Sequence, residues 1–256
     1  YTQLPGLFSQ AGLLPLAARP EDVAETWLLR LFPGPELGME LLTVLGMALA
    51  AAQVAVPGAA LRQGPLGAAA FALLWAIWHD LVFAGGRFTA YQMDTLLLDA
   101  APLCVLGAAG LYPGAVAFAF RWLFVRLYLG GGAVKLLSCD DSWRDLSALH
   151  WHFQSQPLPN PIGNAAHLWL PDAVGQFSTL AALVVEIAAP FLFLAPSGAV
   201  RLVAFATQGF LQAGIMLAGN FGPFNALTLI LGLALLEDAD LPAAPGCAAA
   251  ARGPAA

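Results

Sequence analysis

The feature that most constrains this chain is a succession of long apolar stretches separated by short breaks. Residues 37–56 are mostly apolar, and a helix of about twenty residues crosses a hydrocarbon layer roughly 30 Å thick. Comparable stretches follow at 66–84, 95–111, 115–137, 173–194 and 199–218. A shorter run at 226–236 pairs with the break before it as a broken span that begins near Phe221. The sequence therefore predicts an all-α, polytopic transmembrane helical bundle with about six to seven spans.

The composition excludes an ordinary water-soluble domain. Apolar residues make up 59% of the chain and charged residues 10%, and the mean hydropathy is +0.74. In a soluble domain about a quarter of the residues are charged. The net charge is -6, and no basic cluster is present that would bind nucleic acid. Membrane lipids are therefore the predicted surroundings.

The metal-ligating residue types are too scattered to predict a metal site or a cofactor. The three cysteines are far apart and give neither a disulfide framework nor zinc-ligand spacing. On a helix, His150 and His152 point about 200° apart, although an extended segment would bring them to one face. The sequence also lacks a nucleophile elbow, a phosphate-binding loop and a dinucleotide fingerprint. We predict no metal and no cofactor.

The longest polar interruption, residues 138–172, is called the central loop here. Asp140, Asp141 and Ser142 are helix-start residues, because a short side-chain oxygen accepts from the first unpaired amides. The bulky apolar residues that follow share one helical stripe: Trp143, Leu146, Leu149 and Phe153. A short helix with aromatic residues on one side is typical of the membrane–water boundary. The pattern predicts an interfacial helix.

Three prolines predict an extended strap after that helix. Pro157, Pro159 and Pro161 lack amide protons and bias the residues before them to extended geometry. A proline-stiffened segment loses little entropy on binding, so the strap is a candidate docking surface. The break at 219–225 contains Asn220 and Asn225, whose side-chain amides cap helix ends or bind a partner. The candidate binding residues are Trp143, His150, His152, Gln154, Gln156, Pro157, Pro159, Asn160, Asn220 and Asn225.

Charged residues in or beside the apolar stretches form a second group of candidates. They are Asp80, Asp94, Asp99, Arg121, Arg126, Lys135 and Glu186. Such charges cost a few kcal/mol each inside a membrane, so they pair or line a cavity. The structural interpretation is that Asp99 or Glu186 neutralises Arg121 or Arg126. The functional alternative is an ion path, a substrate site or an acid–base pair.

Three regions follow from these patterns. Residues 1–36 are predicted to form a polar, interfacial N-terminal segment, in which the pattern over 21–32 predicts one amphipathic helix. Residues 37–240 form the multi-span membrane domain, and the Ala/Pro/Gly-rich residues 241–256 are expected to be a disordered tail. Because the chain begins at Tyr1 rather than Met, we expect a fragment or a processed form.

Several segments occur in the order found in one known family. The specific ones are WRDLSALHWHFQSQPLPNP at 143–161 and GNFGPFNALT at 219–228. YQMDTLLLD at 91–99 and RWLFVRL at 121–127 precede them, with GGGAVKL at 130–136. Across roughly residues 79–240 the chain thereby resembles the lipase maturation factor family of endoplasmic-reticulum membrane proteins.

The resemblance implies a multi-pass protein of the endoplasmic-reticulum membrane that assists secreted lipases in folding and maturation. Its partners would be membrane lipids and lipase clients, and it would not be an enzyme. In this family the membrane part is followed by a large lumenal region, to which client contacts are largely attributed.

A membrane enzyme is the alternative. The membrane part distantly resembles the multi-span domain of vitamin K-dependent gamma-carboxylases. Such an enzyme would act on a lipid-like or protein substrate through the intramembrane Asp, His, Lys and Arg groups. It predicts that Lys135 or a histidine meets a carboxylate in a shared cavity. A transporter ranks last, because the sequence lacks repeats and paired broken helices.

Overall fold

The computed structural model describes residues 4–56, 60–156, 160–219 and 221–237, and within these ranges it contains helices and no β-strand. The predicted all-α class is confirmed. The chain divides into two compact units, residues 1–119 and 120–256. Each unit has its own cluster of buried apolar side chains.

In the first unit the helices are α1 Leu4–Phe8, α2 Pro20–Ala24, α3 Pro35–Ala55, α4 Gly64–Gly85 and α5 Gln92–Ala108. Short 3-10 turns lie at Leu16–Ala18, Leu29–Leu31 and Gly86–Thr89. Helix α6, Pro113–Leu137, begins in this unit and continues into the second. Helix α4 packs against both α3 and α5.

The second unit continues with α7 Asp141–Arg144, α8 Ala148–Gln154, α9 Pro161–Trp169, α10 Asp172–Ile187, α11 Gly198–Ala218 and α12 Phe224–Gly232. Segments of 3-10 helix extend α10 over Ala189–Leu194 and α12 over Leu233–Leu235. Pro190 lies at the change from α10 to its 3-10 extension, since proline has no amide hydrogen for the helical ladder.

Four helices in the described part of the chain are long and apolar enough to cross a membrane. They are Pro35–Ala55, Gly64–Thr89, Asp172–Leu194 and Gly198–Ala218. Their bounds agree with the predicted spans 37–56, 66–84, 173–194 and 199–218 to within a few residues. The segment Phe224–Leu235 is apolar but shorter.

The predicted amphipathic helix at 21–32 is wrong, and Asp80 gives the reason. Helix α2 stops at Ala24, and the amides of Trp27, Leu28 and Leu29 turn toward the Asp80 carboxylate at 2.8, 2.6 and 2.7 Å. The Asp80 side chain on α4 is buried. The three hydrogen bonds to the Asp80 carboxylate replace the helical hydrogen bonds that the segment gives up.

A buried arginine on α11 binds the ends of two neighbouring helices in the second unit. The guanidinium of Arg201 on α11 donates to the carbonyl oxygens of Ala195, Pro196 and Leu235 at 3.0 to 3.1 Å. These carbonyls end the 3-10 extensions of α10 and α12, which would otherwise lack partners. The Glu237 carboxylate lies 2.9 Å from the same guanidinium and neutralises it. A single side chain thereby ties together three helices.

The central loop contains three short helices where the sequence predicted one helix and a strap. The predicted helix around Trp143–Phe153 is broken at Leu146, which adopts a φ of 66°. The Asp145 carboxylate accepts from the Ser147 amide at 2.9 Å, and hydrogen bonds from Ser147 lower the pKa of Asp145. This local turn competes successfully with a continuous helix.

Helix α9 lies where the strap was expected to end. Pro161 is its first residue, a position at which a helix needs no amide hydrogen. The Asn160 side chain caps it by accepting from the amides of Ile162 and Gly163 at 2.9 Å. Pro157 and Pro159, the centre of the predicted strap, lie outside the described residues.

The Asp80 contacts generate a test of the first unit. Asp80→Asn replaces an acceptor-only carboxylate by an amide that also carries donors, leaving backbone amides unpaired. We expect the free energy of unfolding to fall by about 2–4 kcal/mol. Amide hydrogen exchange at residues 27–29 should accelerate, as measured by mass spectrometry in detergent micelles. The exposed Glu25→Gln is the matched control. Unchanged protection at 27–29 would contradict this role of Asp80.

Candidate functional site

The polar groups of the central loop meet the ends of two long apolar helices within the second unit. Lys135, near the end of α6, forms an ion pair with Glu186 of α10 at 2.5 Å. A Cβ at Gly132 would lie 2.6 Å from the Ile187 side chain, so only glycine lets α10 approach this closely. The ring of Trp143 lies 5.3 Å from the Lys135 ammonium. These contacts hold the start of the central loop.

The central loop also contacts the end of α11, directly before the 219–225 break. The Gln156 amide donates to the Ala218 carbonyl at 2.5 Å. Gly163 of α9 lies against the same carbonyl, where a Cβ would approach it to 2.7 Å. The rings of His152 and Phe221 are stacked with centroids 5.8 Å apart. The central loop and the break therefore form one composite surface.

The two neighbouring histidines of the loop have different surroundings. His150 is exposed, and its ring lies 4.9 Å from that of His167, whose Nδ1 is buried without a hydrogen-bond partner. His152, on α8, is half-buried and stacks on Phe221, and burial lowers its pKa. The described residues hold no group of three or more histidine, cysteine and acidic side chains that would bind a metal.

Asn225 was a candidate binding residue, but its side chain is directed into the bundle. It is buried and donates to Gln212 of α11 at 2.5 Å, and Gln212 donates in turn to the Tyr128 hydroxyl at 3.0 Å. This chain joins α6, α11 and α12. The Asn225 amide therefore neither caps the start of α12 nor lies on the surface, the two roles that the sequence suggested. Asn220 lies outside the described residues.

The predicted intramembrane charges have different kinds of partner. Asp80 binds backbone amides, and the Asp94 carboxylate accepts from the Tyr91 amide at 3.2 Å at the start of α5. Glu186 pairs with Lys135. The sequence had predicted Arg121 or Arg126 as its partner. Arg121 pairs with Glu237 at 2.8 Å. Asp99 and Arg126 are exposed on their helices.

The remaining described candidates differ in exposure. Gln154 is exposed at the end of α8, Asn160 caps α9, and Trp143 is half-buried. Sequence reasoning did not assign a site role to Arg201, Gln212, Tyr128 or Glu237. A signal for Gln212 was available, because Gln208 and Gln212 are polar residues one turn apart in an apolar helix. Their partners on other helices carried no local signal.

Comparisons with known proteins show which family the sequence matches. Residues 1–243 match the family described as lipase maturation factor transmembrane domain, so the similarity begins well before residue 79. The chain is 36% identical to lipase maturation factor 2 of Mus musculus and of Homo sapiens, over 96% of this chain and 38% of each relative. It is 31% identical to lipase maturation factor 1 of Homo sapiens, over 68% of this chain and 33% of that relative. No solved structure matches it.

The Lys135–Glu186 pair is expected to be worth more than a surface ion pair. Lys135→Met leaves the buried Glu186 carboxylate without its cation, and we expect a loss of about 1–3 kcal/mol of stability. The double variant Lys135→Met/Glu186→Leu should recover much of that loss. Thermal unfolding in micelles checks this. Arg144→Met, which breaks the exposed pair with Asp141, is the control. Equal effects of Lys135→Met and Arg144→Met would contradict the pair's importance.

The lowered pKa of His152 predicts a pH dependence of stability. Because the folded state disfavours the imidazolium, the unfolded state binds the proton first as the pH falls below 6.5, the ordinary histidine value. Acidification therefore destabilises the fold, and His152→Phe should lose less stability on acidification than the parent. Melting temperatures at neutral and mildly acidic pH test this. Trp151→Phe, on the exposed side of α8, should retain the parent's pH dependence.

Proposed function

This chain belongs to the lipase maturation factor family, and we propose that it is the membrane part of a protein that assists secreted lipases in folding and maturation. The observation that carries the proposal is the family match over residues 1–243, which includes both the central loop and the break. The chain spans about 38% of the length of the relatives it matches. Lipase clients, and the endoplasmic-reticulum membrane as the location, are therefore part of the proposal.

We further propose that the domain crosses the membrane six or seven times. Besides the four long apolar helices, α5 has 17 residues and α6 has 25, which correspond to roughly 25 and 37 Å. The ion pairs of Arg121 and Lys135 lower the cost of placing α6 in a membrane. Residues 221–235 would complete a broken span, because Asn225 bonded to Gln212 stabilises the short α12 within the bundle.

The central loop is proposed to act as the binding surface, with an extended strap between α8 and α9. Gln156 on one side of 157–159 is bonded to α11, and Asn160 on the other side has an extended backbone with a φ of −126° and a ψ of 121°. The basis of the proposed strap is the three prolines, which bias the residues before them to extended geometry. Exposed Trp151 and Gln154, on α8, offer apolar and amide contacts to a client.

Binding fits these residues better than catalysis does. Lys135 and His79 each meet a carboxylate, as the enzyme alternative requires, but both carboxylates are engaged within their own units. Glu186 forms an ion pair with Lys135, and Asp80, which lies 3.3 Å from His79, accepts backbone amides. No observation therefore favours the carboxylase-like alternative.

Inactivating the gene in its host tests the proposed function. We expect the specific activity of a secreted lipase to fall several-fold while lipase synthesis stays constant, because the enzyme is made but does not fold. Re-expression of the full gene product should restore activity. A secreted protein that is not a lipase is the control for general secretion. Unchanged lipase activity, or an equal loss for the control protein, would refute the proposal.

A further inference from the structure

Helix α9 exposes an apolar face that the rest of the second unit does not cover. Ile162, Leu168 and Trp169 are 53%, 70% and 82% exposed. At about 100° per residue they lie, together with the exposed Ala165, within an arc of about 120°. The opposite side of α9 contains Gly163, Ala166 and His167, which are buried or half-buried. One face of α9 therefore packs on protein, and the other exposes apolar groups.

The position of α9 is fixed by its neighbours. Trp169 is followed after two residues by Asp172, the first residue of the apolar helix α10. Gly163 lies against the carbonyl of Ala218, the last residue of the apolar helix α11. If α10 and α11 cross the bilayer, the start of one and the end of the other lie at a membrane boundary. Helix α9 then lies at that same boundary.

The length of α9 and the local charges decide how it meets the membrane. Nine residues make a helix of roughly 14 Å, too short to cross. Tryptophan prefers the layer between lipid headgroups and hydrocarbon. The central loop carries Arg144 as its cation against several aspartates, so it offers no basic cluster to anionic headgroups. Attraction would come from buried apolar area.

We propose that α9 is an interfacial membrane anchor, with Ile162, Leu168 and Trp169 inserted among the lipids at the boundary from which the central loop projects. The occupant of this face is the bilayer itself and not a protein. The anchor replaces the interfacial helix predicted around Trp143–Phe153, which is broken in the structure. It presents the loop residues beside α8 at the membrane surface. The proposal rests on α10 and α11 crossing the bilayer.

Spin-label accessibility tests the anchor in the full chain. Cys104, Cys139 and Cys247 are replaced by serine, and a nitroxide is attached at Ala165→Cys, the centre of the exposed arc. The protein is reconstituted in phosphatidylcholine vesicles, and collisions with oxygen and with a water-soluble nickel chelate are measured. Arg144→Cys, exposed in α7, is the control for water, and Phe210→Cys, 84% exposed within α11, is the control for hydrocarbon.

We expect the ratio of oxygen to nickel collisions at position 165 to be several-fold above that at 144 and below that at 210. Adding anionic lipid should leave it unchanged, since insertion does not depend on charge. A ratio equal to that at 144 would place α9 in water and overturn the proposal. Protection from both reagents would mean that protein covers the face, which also overturns it.

The two controls separate this inference from the proposed function. A label at 210 that collides mainly with nickel would show that α11 does not cross the bilayer, which removes the basis of the anchor and of the span arrangement together. A hydrocarbon-exposed label at 210 with a water-exposed label at 165 refutes the anchor alone. Lipase maturation is not measured in this experiment, so its result leaves that proposal to its own test.

Discussion

The structure depends on one constraint: a polar group removed from water must find its partner within the protein. In a chain this apolar, an unpaired backbone or side-chain group buried in hydrocarbon costs several kcal/mol. The buried polar residues of each unit satisfy that requirement in different ways. In the first unit Asp80 accepts the amides of a segment that leaves its helix. In the second unit Arg201 donates to carbonyls where two helices end.

These interactions explain which parts of the fold could be predicted. Long apolar stretches carry their own signal, because helix length and hydrophobicity are local properties, and the bounds of α3 and α11 were close to the prediction. The segment 21–32 has a helical pattern as well, but the amides of residues 27–29 donate to Asp80, more than fifty positions away. The break at Leu146 and the start of α9 depend on short-range hydrogen bonds from backbone amides to the Asp145 and Asn160 side chains. The spacing of apolar residues does not predict such bonds.

The candidate site was only partly predictable for the same reason. The polar residues of the central loop identified a candidate surface, and its cap residues Asp140 and Asn160 act as their residue types suggest. The sequence did not reveal that His150 lies against His167 while His152 stacks on Phe221. Those pairs join residues 17 or more positions apart, so they depend on how helices pack. The same is true of Lys135 and Glu186.

The distribution of paired and exposed groups also bears on mechanism. An enzyme of this size would need a titratable group held ready for a substrate, as an open base or acid in a cavity. Here Lys135, Asp80 and Gln212 are occupied by partners within their own units. Among the described residues of the central loop, Trp151 and Gln154 expose an aromatic ring and an amide, which suit reversible contact with another chain. The proposed folding role needs such a surface, and the bond from Gln156 to Ala218 fixes the loop to the end of α11 while the Lys135–Glu186 pair joins α6 to α10.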